Sequence, residues 1–368
     1  MKNFFAVFML TLSLMLLIYG CSETTTPLQD YAQNSEISDQ ELFEKGGGFH
    51  GNAGNIVVAN RASGSISVID TKTDQVSNYQ LPAAPNTPEP MYVAYVKRGR
   101  RVFVGDRANN QVVVFRASDY SVETTIPVGQ GVFHMWANPQ GKQLWVNNDI
   151  DNTTSVIDLQ SLQVIATIPT PADLVGMGGK PHDVILGPYG KLAYITVLGI
   201  SGPADYVVQF STSTFQEIGR AAVGKDPHLS LTARNRFLYV PCQNSDAVFV
   251  LNRFSMNQVE TLSVPGAHGA GMTTNGKVFY ATNLPGGGTD GLFAIGTKRN
   301  KVIGSSDTPY PVPHNIALIP SSKKLYLTHS GSTSNKVTVY KISNRHPVPV
   351  FLKEITVEIN PFGIAFAQ

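Results

Sequence analysis

Five of the eight histidines stand in comparable surroundings: "VFHMW" (His134), "KPHDV" (His182), "DPHLS" (His228), "GAHGA" (His268) and "VPHNI" (His314). Each lies eight or nine residues before the Lys or Arg of a turn-forming stretch; the same count reaches Met91 in "EPMYV", and the same register gives Phe362 in "NPFGI" near the C-terminus. Seven positions filled at random from eight histidines in 368 residues would hold roughly 0.15 of them, so one shared structural place is implied. A neutral imidazole binds zinc, copper, nickel or iron; it is equally a polar packing group that can bond a neighbouring backbone. Several imidazoles aimed at one point would suit a transition metal, copper or zinc, better than calcium, which takes oxygen ligands.

The elements that must hold these residues are repeats. Aligned on the turn, the chain reads "VKRGRRVFVGD", "NPQGKQLWVNN", "GPYGKLAYITV", "TARNRFLYVPC", "TNGKVFYATN" and "PSSKKLYLTH". Each is a turn followed by a strand of alternating aromatic and β-branched residues, and a second strand such as "TSVIDLQ" or "DAVFVLN" comes next. A further strand, as in "QVIATIP", closes each unit, giving four short strands in about 40 to 48 residues, the pattern of a β-propeller blade. The globular part opens on "NIVVANRASGSISVIDTKTDQVSNYQL", a unit lacking its first strand, and ends on "INPFGIAFAQ", a first strand alone. Joining the two closes a ring, so the expectation is an all-β, seven-bladed propeller over residues 55–368 with no open sheet edge.

In that register the five histidines begin the innermost strands, where side chains can be directed at the central channel. The strand that follows returns to the same level and ends on Asn60, Asp106, Asn148, Val197, Cys242, Asn283 and His329. Cys242 and His329 replace the amide found in three sister units, so with Met91, Phe362, Asp106, Asn148 and Asn283 they are further candidates on this upper face. A small buried thiol is the plainer reading of Cys242. Strand alternation fixes relative facing only, and leaves open whether the imidazoles converge on an ion or face one another across water.

Strands such as "FLYVPC", "SISVID" and "ATIP" approximate the "LYVTN…VSVID…TI" pattern and so resemble those of the YVTN family of seven-bladed propellers, which has no single activity. The histidine ring is similar to that of the nitrous oxide reductase propeller, whose blades hold a copper cluster. The chain departs from it in having five ring histidines, no adjacent His-His pair and no cupredoxin domain, so nitrous oxide reduction is not expected. Propellers that place channel histidines against a d1 haem offer a weaker analogy, and no c-type haem motif is present.

At the N-terminus, Lys2 precedes an apolar run from Phe4 to Tyr19 ending in "LIYGC". This resembles the lipobox of bacterial lipoproteins and implies a signal peptide over 1–20, cleavage before Cys21 and lipidation of that cysteine. By the same resemblance Ser22 favours the outer membrane. Residues 21–54 read as a polar tether, acidic at Glu23, Asp30, Glu36, Asp39, Glu41 and Glu44. From residue 55 on, 26 basic and 20 acidic residues give a formal +6, a mild bias that supports weak attraction to anionic surfaces and does not imply nucleic acid.

Other motifs carry less. "KRGRR" (Lys97 to Arg101) is a basic turn on the opposite face; "NNDIDNTTS" lacks the spacing of an EF-hand loop; "PGGGTDG" lacks the Lys-Ser/Thr of a phosphate loop; and no nucleophile elbow occurs. The expected protein is a monomer held in the cell envelope by its lipid, binding copper or zinc through the ring. A metal-free propeller presenting the same face to a protein, peptide or glycan is the alternative. A lactonase or lyase using a channel histidine as general base ranks third, and no catalytic residue is assigned.

Overall fold

The computed structural model describes residues 54–368 apart from 233–235 and 320–322. The signal peptide, Cys21 and the tether as far as residue 53 lie outside the described residues. Twenty-eight strands, β1 (Asn55–Asn60) to β28 (Pro361–Ala367), form seven four-stranded antiparallel sheets. The first blade has the order β28, β1, then the two strands Ser65–Asp70 and Val76–Gln80, so the C-terminal strand completes the N-terminal sheet. No helix among the described residues is long and apolar enough to cross a membrane.

Alternation explains the packing. The aromatic of each "LYV" stretch is the third residue of its blade's second strand, and Phe103, Trp145, Tyr194, Tyr239, Tyr280 and Tyr326 are all fully buried between sheets. Three of them also latch neighbours together. The hydroxyls of Tyr194, Tyr239 and Tyr280 donate to Arg253 O (2.8 Å), Asn300 Oδ1 (2.6 Å) and Pro347 O (2.7 Å), each in the next blade's outer hairpin.

The innermost strands are β28, β4 (Pro90–Val96), β8 (Val132–Ala137), β12 (Lys180–Leu186), β16 (Leu231–Thr232), β20 (Ala267–Met272) and β24 (Pro313–Leu318). Each starts at the upper face and descends. In six blades the pairing with the second strand slips by one residue within the first turn of the strand: Pro90 pairs with Asp106 but Val93 with Val104, and Pro313 with His329 but Ile316 with Leu327. Two residues therefore oppose one, a β-bulge that re-aims the side chains at the channel mouth. In the blade of β16 the same place is held by a single bridge, Pro227 to Cys242, with His228 N–H donating to Pro241 O at 2.9 Å.

The two faces differ in charge. Counting described hairpin and loop residues with the strand residues that bracket them, the lower face carries eighteen Lys or Arg against five Asp or Glu. The upper face carries five Lys or Arg against eleven Asp or Glu.

Candidate functional site

The strand pairing defines the ring. The residues facing the ends of the second strands are Pro90, Val132, Pro181, Pro227, Ala267, Pro313 and Pro361, so the positions after them are Met91, Phe133, His182, His228, His268, His314 and Phe362. Four histidines thus share one place, and Phe133 stands where His134 was expected. His134 is one residue further along, and because strand side chains alternate with period two, one residue is enough to turn it away. Its Nδ1 accepts Val184 N–H of the next blade at 3.0 Å, and its ring meets Tyr92 edge-on at 4.5 Å. It is a buried packing histidine, held neutral with its pKa lowered to about 3 by burial.

The ring side chains do reach the axis. Ring centroids follow one another around it: Phe133 to His182 4.3 Å, His182 to His228 4.9 Å, His228 to His268 3.8 Å, His268 to His314 4.7 Å and His314 to Phe362 4.2 Å. Phe362 and Phe133 close the circle at 6.3 Å, and Tyr92, in the register of His134, packs 5.4 Å from both. Met91 is buried in the core cluster behind these aromatics. The imidazoles pack against one another and plug the channel.

Threonines of the second strands hold this geometry. Thr282 Oγ1 accepts Gly269 N–H at 2.8 Å and donates to His314 O at 3.2 Å, while Thr328 Oγ1 accepts Asn315 N–H at 3.0 Å and donates to Phe362 O at 3.0 Å. Each hydroxyl thus satisfies the bulge amide of its own blade and ties the next ring residue. Gly269 is obligatory here, since a Cβ would lie 1.6 Å from His314 O.

Burial sets the protonation states. His182, His268 and His314 have lowered pKa values, first because burial penalises the imidazolium and then because neighbouring histidines repel it; for His314 the value falls to about 3. Asp183 is pushed well above the usual carboxylate range by burial, with Asp226 adding to it. His182 has a side-chain exposure of 19%, the most open imidazole of the ring, and its Nδ1 is 3.3 Å from Asp183 Oδ1. His228 Nε2 approaches Asp226 Oδ1 at 3.0 Å without the alignment of a hydrogen bond, and both its nitrogens, His268 Nδ1, Asp183 Oδ2 and Asn315 Oδ1 are buried without a partner. Two guanidiniums flank the mouth: Arg107, paired with Asp149 at 2.9 Å, lies over Phe133 at 5.9 Å, and Arg61 lies over Phe362 at 5.5 Å.

The second set of upper-face candidates serves the blades. Asn60 and Asn148 donate to serine or threonine hydroxyls on their third strands, and Asp106 accepts Glu89 N–H at 2.9 Å and Asn109 Nδ2 at 2.8 Å. Asn283 Oδ1 accepts Gly286 N–H at 3.0 Å. His329 uses both nitrogens inside its blade, on Pro311 O (3.1 Å) and Thr338 Oγ1 (2.9 Å), and burial lowers its pKa to about 4. Val197 is core, and Cys242 is a buried free thiol contacting Val240 O, raised in pKa by burial. The Asp149 and Asp151 loop is likewise closed by its own bonds, to Arg107 and to Gln130 N–H. Asp183 and Asp226, each one or two residues from a ring histidine in "KPHDV" and "KDPH", were missed; a carboxylate so placed beside a repeated histidine was the signal.

Below the plug the channel opens into a cavity of about 570 Å³. Tyr92, His134 and Asn315 line its upper end, Trp136, Leu231, Met272 and Phe366 its wall, and Lys97 and Arg98 its lower end.

A seven-bladed propeller whose channel is stoppered by packed imidazole and phenyl rings is the class that fold and site define. The family described as "Lactonase, 7-bladed beta-propeller" matches residues 48–263, and the chain belongs to that family. No curated protein matches the sequence. Among solved structures, a putative 6-phosphogluconolactonase from Bacteroides uniformis is 18% identical, with 86% of this chain and 100% of that one covered and a TM-score of 0.66. The periplasmic gluconolactonase of Pseudomonas aeruginosa is 15% identical over 86% and 99%, with a TM-score of 0.66. Hydrazine synthase of Kuenenia stuttgartiensis is 18% identical over 78% and 92%, with a TM-score of 0.62. At these identities the likeness is one of fold.

Proposed function

We propose that the chain hydrolyses a lactone at the upper mouth of the channel, with His182 as general base. Membership of the lactonase family supports an enzyme, and two similar propellers carry gluconolactonase descriptions. The observation that carries the assignment to this place is the His182–Asp183 pair at the most open point of the ring. Asp183 orients the imidazole through Nδ1 and leaves Nε2 for a water. That nitrogen takes the water's proton as the oxygen attacks the lactone carbonyl; the ring C–O bond then breaks and the proton passes to the leaving alkoxide. Arg107, over the Phe133 ring and near enough to His182 to disfavour its charged form, favours the negative charge that develops on the carbonyl oxygen. The acidic upper face favours an uncharged lactone over a phosphorylated one.

Release of acid from δ-gluconolactone, followed with a pH indicator, tests this. His182→Asn is expected to lower kcat about a hundredfold or more with an unchanged melting temperature; an undiminished kcat refutes the role.

One observation favours a second reading, a zinc or copper ion. Donor atoms of His182, Asp183 and His228 lie within 4.8 Å of one another, the metal-ligating group found among the described residues. A tetrahedral ion with bonds of about 2.0–2.1 Å needs donors roughly 3.3 Å apart, so modest side-chain rotation would close the site. The other ring histidines do not join it. Stoichiometric metal in purified protein, lost in the variant His228→Gln, is the expected result of that reading; metal-free protein with full hydrolysis refutes it.

A further inference from the structure

The charge imbalance between the two faces is larger than the net charge suggests, and it follows the hairpins. Every hairpin joining the first and second strands of the blades between the closing ones carries a Lys or Arg at its end: Arg100, Lys142, Lys191, Arg236, Lys277 and Lys323, all exposed. The outer hairpin Gly296–Lys301 adds Lys298, Arg299 and Lys301, also exposed. Acidic residues are few on this face, and Asp74 is already paired with Lys353. A surface with this excess attracts polyanions within a Debye length of about 8 Å at physiological salt.

Two further features sit on the same side. Strand β1 ascends, with Asn55 paired to Ala367 and Asp70 at the lower end, so the preceding chain joins the propeller at Gly54 on the lower face. That chain includes Cys21 and the apolar run from Phe4 to Tyr19. Along the lower rim, the outermost strands begin with exposed apolar residues, Val122, Ile165, Ile218 and Val259 among them, and Val350 and Phe351 are 59% and 45% exposed. Cations on one face, apolar side chains at its edge and the entry there of the chain that carries Cys21 are the features of a protein surface that rests on lipid headgroups.

We propose that the lower face docks on an anionic phospholipid surface, holding the histidine-plugged mouth towards solvent. This is independent of the proposed hydrolysis. Each Lys or Arg brought to an anionic surface strengthens binding about fivefold, so reversing a cluster of three weakens it about a hundredfold or more. The closed ring of seven blades lies wholly within residues 54–368, so that segment, free of Cys21 and the apolar run, is the protein to use.

Sedimentation with vesicles of phosphatidylcholine containing 30% phosphatidylglycerol, and with pure phosphatidylcholine, tests the proposal. Binding to the anionic vesicles alone, weakening steeply between 50 and 500 mM NaCl, is expected. The triple variants K97E/R98E/R100E and K298E/R299E/K301E should each bind about a hundredfold more weakly, and the upper-face variant K336E should bind as the parent does; unchanged circular dichroism confirms that each is folded. Equal binding to both vesicles, failure to bind either at 50 mM NaCl, or an undiminished affinity in both triple variants overturns the proposal. Tighter binding to a 30-residue single-stranded oligonucleotide than to the anionic vesicles overturns it in favour of nucleic acid.

Discussion

Acid should unfold this propeller well before its carboxylates titrate. The perturbation is a change from pH 7.5 to pH 5.0. His134 and His314, with pKa values lowered to about 3, and His329, lowered to about 4, stay neutral in the folded state throughout, whereas an unfolded histidine titrates near 6.5. A depressed pKa of this kind stabilises the fold fully above the unfolded value, and the stability is lost as pH falls through the window from about 7.5 towards 4. At pH 5.0 the unfolded chain gains 1.5 pH units of protonation free energy per histidine, about 2 kcal/mol each and about 6 kcal/mol for the three. His182 and His268 shift in the same direction and add to the loss, while Asp183, raised by burial, shifts in the opposite one and offsets part of it.

A loss of about 6 kcal/mol is comparable to the whole stability of many domains. Urea denaturation followed by tryptophan fluorescence should show it: with a slope of about 3 kcal/mol/M, the midpoint should fall by about 2 M. The slope of stability against pH between 6 and 5 should correspond to an uptake of about three protons on unfolding. His329→Asn puts the residue of three sister blades in this place and should remove about 2 kcal/mol of the acid sensitivity. A midpoint that stays within 0.3 M across the range, or uptake of less than one proton, would mean that the buried imidazoles are protonated in the fold, and the account of the ring would be wrong.

Other outcomes follow from the stitching of the ring and the charge of the faces. Thr282→Val leaves Gly269 N–H and His314 O unpaired in the interior and should cost about 2–4 kcal/mol in urea titration, with Thr282→Ser restoring most of it. Gly269→Ala forces a Cβ against His314 O and should cost about 3 kcal/mol or more, whereas Gly176→Ala, with nothing within 4 Å of the added Cβ, should stay within about 0.5 kcal/mol. At low salt kcat/KM for δ-gluconolactone should exceed that for its 6-phosphate about tenfold, with the gap narrowing in 0.5 M NaCl; a preference for the phosphate would show that Arg61 and Arg107 outweigh the acidic loops around them.

Much of the fold was legible because the repeat is explicit. The missing first strand at one end and the stray one at the other predicted the pairing of β1 with β28, and the aromatic of each "LYV" predicted the fully buried row. The ring was legible to within one residue. Counting back from a turn lysine spans eight residues in some units and nine in others, and that latitude cannot separate Phe133 from His134 when a bulge lies in between. A better ruler was present: Pro181, Pro227, Pro313 and Pro361 each precede a ring residue, Pro90 precedes Met91 in the same register, and the residue two places after Gly131 is Phe133. Cys242 and His329 were placed at the right level, but a side chain at the end of a second strand has third-strand hydroxyls and entry-loop groups within reach, and these engage it before the channel does.

The same reasoning shows what net charge conceals. A formal +6 over the propeller is the sum of two opposed faces, and alternating hairpins assign each charged residue to one of them: first-to-second and third-to-fourth connections fall below, the others above. Eleven acidic residues surround the mouth, yet the imidazolium forms of His182 and His268 are disfavoured there, first by burial and then by the neighbouring imidazoles and, for His182, Arg107. Hydration of the mouth, by a substrate water or by loosening of the plug, would therefore return His182 towards its ordinary basicity. A general base that is weak when dry and strengthens when water enters is suited to activating that water, and the closed plug below it keeps the apolar channel from sharing the reaction.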